Sequence, residues 1–184
     1  MANKMPRRVL SPASGVSREI GLGLSGMDEV REQLCAAVSG VSTADVGRCA
    51  VSGAHSIGAL VLHIAEAEWW WMQCVVSRHK LTDEDTRAPF WDVLKEPGRV
   101  ANNGYSAEFC LNEAARIRAQ TRDVLARFVD EDLDRVFTFE RDANTYDLNL
   151  RWILHHLIDH EAQHKGQILM LKRLLGLQNE GLFS

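Results

Sequence analysis

The stretch LRWILHHLIDHEAQHKGQILMLKRLLG, from Leu150 to Gly176, decides the architecture. Trp152, Ile153, His156, Leu157, His160, His164, Ile168, Leu171, Leu174 and Leu175 recur at helical intervals, so they form one stripe along a helix. Gly176 follows the last periodic residue, where a left-handed C-cap is needed. The stripe is apolar except for its imidazoles, which puts ring nitrogens on a face that must pack against other helices. Of seven histidines in the chain, four lie between His155 and His164, and that clustering is the first sign of chemistry.

Working outward, the same periodicity appears three more times. From His55 to Ser77, the residues Ile57, Leu60, Val61, Ile64, Ala67, Trp71 and Val75 make a broad apolar face, which predicts a deeply buried second helix. Ser106 reads as the N-cap of a third helix reaching about Val129, with Leu111, Ala114, Ile117, Thr121, Val124, Leu125 and Phe128 facing inward and charge on its outer face. Ser25 reads as the cap of a first helix through Val30, Leu34, Ala37 and Val38, ending near Gly40 to Thr43. Residues 1–24, with Pro6, Pro12, Gly15, Gly21 and Gly23, read as an arm with little structure of its own. Residues 25–184 read as a single domain. Arg78 to Tyr105 is polar, holds Pro89 and Pro97, and reads as a long crossover in which Phe90, Trp91, Val93 and Leu94 pack as a short helix. Between Leu133 and Asn149, alternation around the turn formers Asp142, Ala143 and Asn144 predicts a small hairpin before the last helix. The fold class is therefore all-α, a four-helix bundle.

Composition narrows the function. At 184 residues and 46% hydrophobic content the chain can bury one good core. A net charge of −4 with scattered Lys and Arg provides no basic stripe for a phosphate backbone, which argues against nucleic acid. No apolar run matches a signal peptide or the ~20 residues of a membrane span, so a cytoplasmic location without membrane contact is expected. Cys35, Cys49, Cys74 and Cys110 are widely spaced, which suggests reduced core thiols and neither a zinc knuckle nor a disulfide framework.

Residues four apart on a helix are separated by ~6 Å of rise, so His160 and His164 can converge on one ion. His156 and His160 form a competing pair. His156 and His164 lie ~12 Å apart along the axis, too far to share one metal with bonds of ~2.1 Å. A third ligand must come from another helix, and His63, between Leu62 and Ile64, is the histidine embedded in one. His55, at a helix start, and His79, in the crossover, are expected at the surface. Three buried imidazoles without partners would cost ~1–3 kcal/mol each, whereas a metal satisfies them together.

The segment HHLIDHEAQHKGQIL, His155 to Leu169, resembles the last-helix signature of DinB-like proteins, in which two histidines four apart precede a basic residue, Gly and Gln. SIGALVLHIAEAEWWWM, Ser56 to Met72, is similar to the second-helix signature of that family. The approach from Glu131 to Arg135, through a hairpin to LRWIL at Leu150 to Leu154, also resembles it. The resemblance implies that His63, His160 and His164 are the metal ligands. It further implies a four-helix bundle of atypical connection order, frequent dimerisation, and kinship with thiol-dependent transferases and isomerases that share the metal site.

Three neutral nitrogens leave a coordination position for water or substrate, the open arrangement of a catalytic site. All-imidazole coordination suits a divalent transition metal, with zinc or nickel as the expectation. The expected activity is hydrolysis, or transfer from a low-molecular-weight thiol, on a small-molecule substrate; the alternative is a non-catalytic bundle that a metal stabilises or that senses a metal. Gln167, three residues beyond His164, is a candidate to orient a ligand or water, and Glu66, three beyond His63, to take a proton or fix an imidazole. Asp159 and Glu161 are expected to be exposed. Trp69, Trp70 and Trp71 point ~100° apart on an α-helix and so cannot form one platform; core or dimer packing is their expected role.

Overall fold

The computed structural model of the chain describes residues 9–177. Four long helices dominate: α1 (Arg18–Val38), α2 (Ile57–Trp69), α3 (Ala107–Leu125) and α4 (Leu150–Leu174). A hairpin of β1 (Val136–Arg141) and β2 (Asn144–Asn149) precedes α4, with Val136 opposite Asn149 and Arg141 opposite Asn144. The tight turn carries Asp142 and Ala143 at φ +51° and +61°, the left-handed pair of a type I′ connection. Among the described residues, no helix is long and apolar enough to cross a membrane.

The helices form a ring in which α1 packs on α4 and α3, while α2 packs on α3 and α4. The consecutive pair α1 and α2 is therefore diagonal, and so is the pair α3 and α4. An up-down bundle with short loops would make consecutive helices neighbours. The diagonal connections are residues 39–56 and the 126–149 segment with its hairpin, whereas the long 78–105 crossover joins the neighbours α2 and α3 and is pinned by buried Phe90, Val93 and Val100. Two apolar clusters fill the ring, one around Leu34, Ile57, Leu62 and Ile117 and one around Leu24, Met72, Phe137 and Ile153.

Local chemistry explains the boundaries. Ser56, Ser106 and Asn149 each cap their helix by accepting from the backbone N–H three residues on. Gly176 has φ +73° and closes α4. The start of α1 differs from expectation: the helix begins at Arg18, seven residues before Ser25. Its cap comes from far along the chain. Asp130 Oδ1 accepts from the Glu19 and Ile20 backbone N–H groups at 2.9 and 3.1 Å, and from Ser17 Oγ at 2.5 Å. Ser25 instead donates to the Ser11 carbonyl at 2.6 Å. Part of the expected arm is thus helix, with Ile20, Gly21 and Leu24 buried, while residues 1–8 of that arm, and 178–184 of the expected domain, lie outside the described residues. Two of the glycines read as breakers serve close approach. A Cβ on Gly21 would stand 2.9 Å from the Ala13 carbonyl oxygen, and one on Gly23 would stand 3.2 Å from Leu154 Cδ1.

Three of the four cysteines are buried or half-buried as expected, and burial pushes the Cys110 thiol up to about 12. Cys49 is exposed and is not a core thiol.

Glu161, expected at the surface, is 2% exposed. It belongs to a buried quartet with one member from each helix: Arg31 on α1, Glu68 on α2, Arg118 on α3 and Glu161 on α4. Arg31 Nη2 donates to Glu68 Oε2 at 2.9 Å and Glu161 Oε2 at 3.1 Å. Arg118 Nε donates to Glu68 Oε1 at 2.6 Å, and its Nη2 to Glu161 Oε2 at 3.0 Å. Burial pushes the Glu68 carboxyl up, but Arg118 and Arg31 outweigh it and hold it below 4.5.

A carboxyl group whose folded value is depressed contributes stability above its unfolded value, and that contribution is lost as pH falls through the folded value. Glu68→Gln is expected to cost about 3–5 kcal/mol at neutral pH, because it leaves two buried guanidinium groups undercompensated. It should also flatten the acid-side loss of stability below pH 4.5. Denaturant unfolding from neutral pH into the acid range checks both, and a loss under about 1 kcal/mol at neutral pH would contradict the quartet's role.

Candidate metal centre

His63 projects from the middle of α2, and His160 and His164 from successive turns of α4, the helix against which α2 packs. One ligand atom from each of the three lies within 4.8 Å of the others, and all three side chains are half-buried. His160 Nε2 and His164 Nε2 are 3.1 Å apart. A metal with bonds of 2.0–2.1 Å holds tetrahedral nitrogens about 3.3 Å apart, so the His160–His164 pair already stands near the spacing an ion requires, with the His63 donor within 4.8 Å of both.

The outer ring nitrogens have partners that orient the inner ones. His63 Nδ1 lies 3.2 Å from Glu66 Oε2, and His164 Nδ1 lies 2.8 Å from Gln167 Oε1. Either acceptor favours the tautomer with the proton on Nδ1, which leaves Nε2 with its lone pair free for coordination. Glu66 is also tied elsewhere, since its Oε1 accepts from the Asp92 backbone N–H at 2.6 Å. Both residues named from the sequence as candidate helpers thus touch candidate ligands.

His156, the competing partner of His160, is placed differently. Its ring stacks on Trp152 with centroids 4.8 Å apart and an interplanar angle of 6°, and it meets the edge of Trp71 at 5.3 Å. His55 is exposed, and so is His79, which pairs with Asp85 at 2.8 Å.

A cavity of about 730 Å³ opens beside His63 and His160. Glu66, Trp70, Trp71, Trp91 and His156 line it, with Lys95 and Arg141 among its charged residues. No cysteine lines it. The tryptophan run divides as its geometry demands, though not entirely into core. Trp69 is buried against Phe90, with centroids 6.0 Å apart, whereas Trp70 and Trp71 both face the cavity. The helix type changes at the same point. Trp70–Val76 is a π-helix, closed by the Ser77 N–H bonding to the Met72 carbonyl, and its wider turn rotates successive residues by less than an α-helix does. No sequence signal for that switch stands out in WWMQCVV.

Burial drives the His160 pKa down to about 3, assisted by the repulsion of neighbouring His164, His63 and His156. The ring therefore stays neutral and ligand-ready across the ordinary pH range. In metal-free protein, its imidazole resonances are expected to show no titration step near 6.5 and to remain those of a neutral ring as pH falls toward 3. The unfolded chain binds that proton near 6.5, so the His160 contribution to stability declines with falling pH across the same window. A titration midpoint near 6.5 for His160 would contradict the burial described.

Two solved structures share the fold. A DinB-like protein from Bacillus cereus superposes with a TM-score of 0.61 at 17% identity, covering 88% of this chain and 96% of its own. YfiT from Bacillus subtilis, described as a probable metal-dependent hydrolase with an unusual four-helix bundle topology, gives 0.61 at 15% identity and 97% coverage of both chains. No curated protein matches the sequence. The sequence family described as mycothiol-S-transferase matches residues 24–175, a span that takes in all four helices apart from the first turns of α1 and contains all three histidines. The chain belongs to this mycothiol-S-transferase family, a DinB-like family.

Proposed function

We propose that the chain is a metal-dependent S-transferase that joins the sulfur of a low-molecular-weight thiol of the mycothiol type to an electrophilic small molecule. The observation that carries this reading is the convergence of three imidazoles, two of which line a cavity, in a chain of the mycothiol-S-transferase family. YfiT's description points the same way in general terms, toward metal-dependent chemistry on this fold.

His63, His160 and His164 would hold a divalent transition metal, zinc or nickel by donor type. When bound, such an ion supplies the positive charge that shifts a thiol toward its thiolate at neutral pH. Glu66 accepts from His63 Nδ1–H and Gln167 from His164 Nδ1–H, so both rings are held with Nε2 inward. In the transfer the sulfur lone pair forms the new S–C bond, the leaving group departs with the bonding pair, and the thiol proton passes to water. The cavity is large enough for both reactants, since single small-molecule sites occupy ~300–1,000 Å³.

A divalent zinc or nickel ion at a hundredfold excess over Kd should raise the melting temperature by about 5–10 °C, and His164→Ala should abolish the shift. Glu66→Gln should weaken metal affinity about 10–100-fold while leaving the fold intact. Metal-loaded protein should conjugate mycothiol to 1-chloro-2,4-dinitrobenzene, and the His164→Ala variant should not. Failure to retain metal under any loading condition would end the proposal. Thiol-independent turnover of esters or amides would replace S-transfer with hydrolysis, and metal retention without any turnover would leave a metal-stabilised bundle.

A further inference from the structure

We infer that the cavity beside the three histidines seats a planar aromatic ring against Trp70, Trp71 and Trp91, which makes the electrophilic substrate an aromatic one. The second clause rests on the S-transfer reading; the ring site itself does not. The cavity holds about 730 Å³, far more than a metal ion and its ligands fill. Three indoles and the His156 ring contribute to its lining. Trp70 and Trp91 are only half-buried, so the protein leaves large apolar ring surfaces within reach of a ligand.

The rings are arranged edge to face. Trp70 and Trp71 meet at 4.9 Å and 80°, Trp71 meets His156 at 5.3 Å and 68°, and Phe139 stands behind both tryptophans at 5.3 and 5.4 Å. Positive ring edges pointing at negative ring faces are the preferred order of aromatic groups, and a further flat ring extends that order where a puckered one cannot. The backbone is adapted to the same end. Trp69, at the end of the α-helix, goes into the core, whereas Trp70 and Trp71, at the start of the π-helix, both line the cavity. Such helices are rare and recur at functional sites. The cations at the cavity are already engaged: Lys95 pairs with Asp92 at 2.8 Å, and the Arg141 guanidinium lies over Trp70 at 5.9 Å. Beyond the Trp70 face that Arg141 covers, Trp71, Trp91 and His156 add ring surface to the wall.

Titration calorimetry of the metal-loaded full chain with 2-naphthol, and with its saturated counterpart decahydro-2-naphthol, tests the inference. The aromatic probe should bind at least tenfold tighter. Trp70→Leu and Trp91→Leu, which keep an apolar side chain but remove the flat face, should each weaken 2-naphthol about 3–10-fold, with melting curves and metal content verifying that the bundle and the histidine site persist. Equal affinity for the two probes, or unchanged 2-naphthol binding in both variants, overturns the inference. Failure of 2-naphthol to bind protein that retains its metal overturns it too and leaves S-transfer standing. Selective 2-naphthol binding to protein that cannot hold metal supports the ring site and removes the S-transfer reading instead.

Discussion

The quartet of Arg31, Glu68, Arg118 and Glu161 is the constraint on which the rest of the bundle depends. Each side chain comes from a different helix, so each guanidinium bridges carboxylates on two others. Apolar packing alone tolerates a helix that slides or rotates by a fraction of a turn. A buried carboxylate that loses its guanidinium does not, because the uncompensated charge costs about 3–5 kcal/mol. Hydrophobic replacements of such groups are often as stable as the ion pairs, so the quartet's contribution here is best understood as registry. Glu161 shows how registry reaches the site. With its carboxylate held at the bundle centre, the preceding residue, His160, is turned about 100° away, toward α2 and the cavity. His164, one turn on, follows.

The quartet also explains what was and was not legible in the sequence. Helix α4 and its histidines were legible because the relevant spacing, four residues, lies within one helix. Glu161 reads as surface because its partners, Arg31 and Arg118, come from two other helices, and a charged residue beside a histidine reads as surface without them. A signal existed nonetheless. Ile20, Leu24, Met27, Leu34 and Val38 form a buried stripe on α1 in which Arg31 occupies the position between Met27 and Leu34. Arg118 continues the run from Ala114, and Glu161 the run from Leu154 and Leu157. Four of the five charges buried in these stripes, one from each helix and two of each sign, make a neutral cluster; the fifth, Lys172, donates to the Ala37 carbonyl. The start of α1 left no such trace, because its cap, Asp130, is 110 residues from Ile20. Nor did the π-helix, whose cavity-facing Trp70 cannot be told from core by α-helical periodicity.

The cavity and the histidine cluster are joined by Glu66, which gives the two parts of the site a common mechanical reference. One carboxylate oxygen faces His63 Nδ1 and the other takes the Asp92 backbone N–H. Asp92 adopts φ +51°, a left-handed conformation that a non-glycine residue holds only when its surroundings over-determine it. Lys95 pairs with the Asp92 side chain at 2.8 Å and Val93 is buried beside it, so the turn is fixed by its neighbours as well as by Glu66. Trp91, adjacent to Asp92, lines the cavity. The wall that Trp91 supplies and the orientation of the His63 ring therefore share one anchor. A displacement of the 91–95 turn pulls on the carboxylate that sets the His63 tautomer, and a reorientation of His63 releases the turn. The geometry makes the shape of the cavity and the readiness of its histidine donors a single property of the fold.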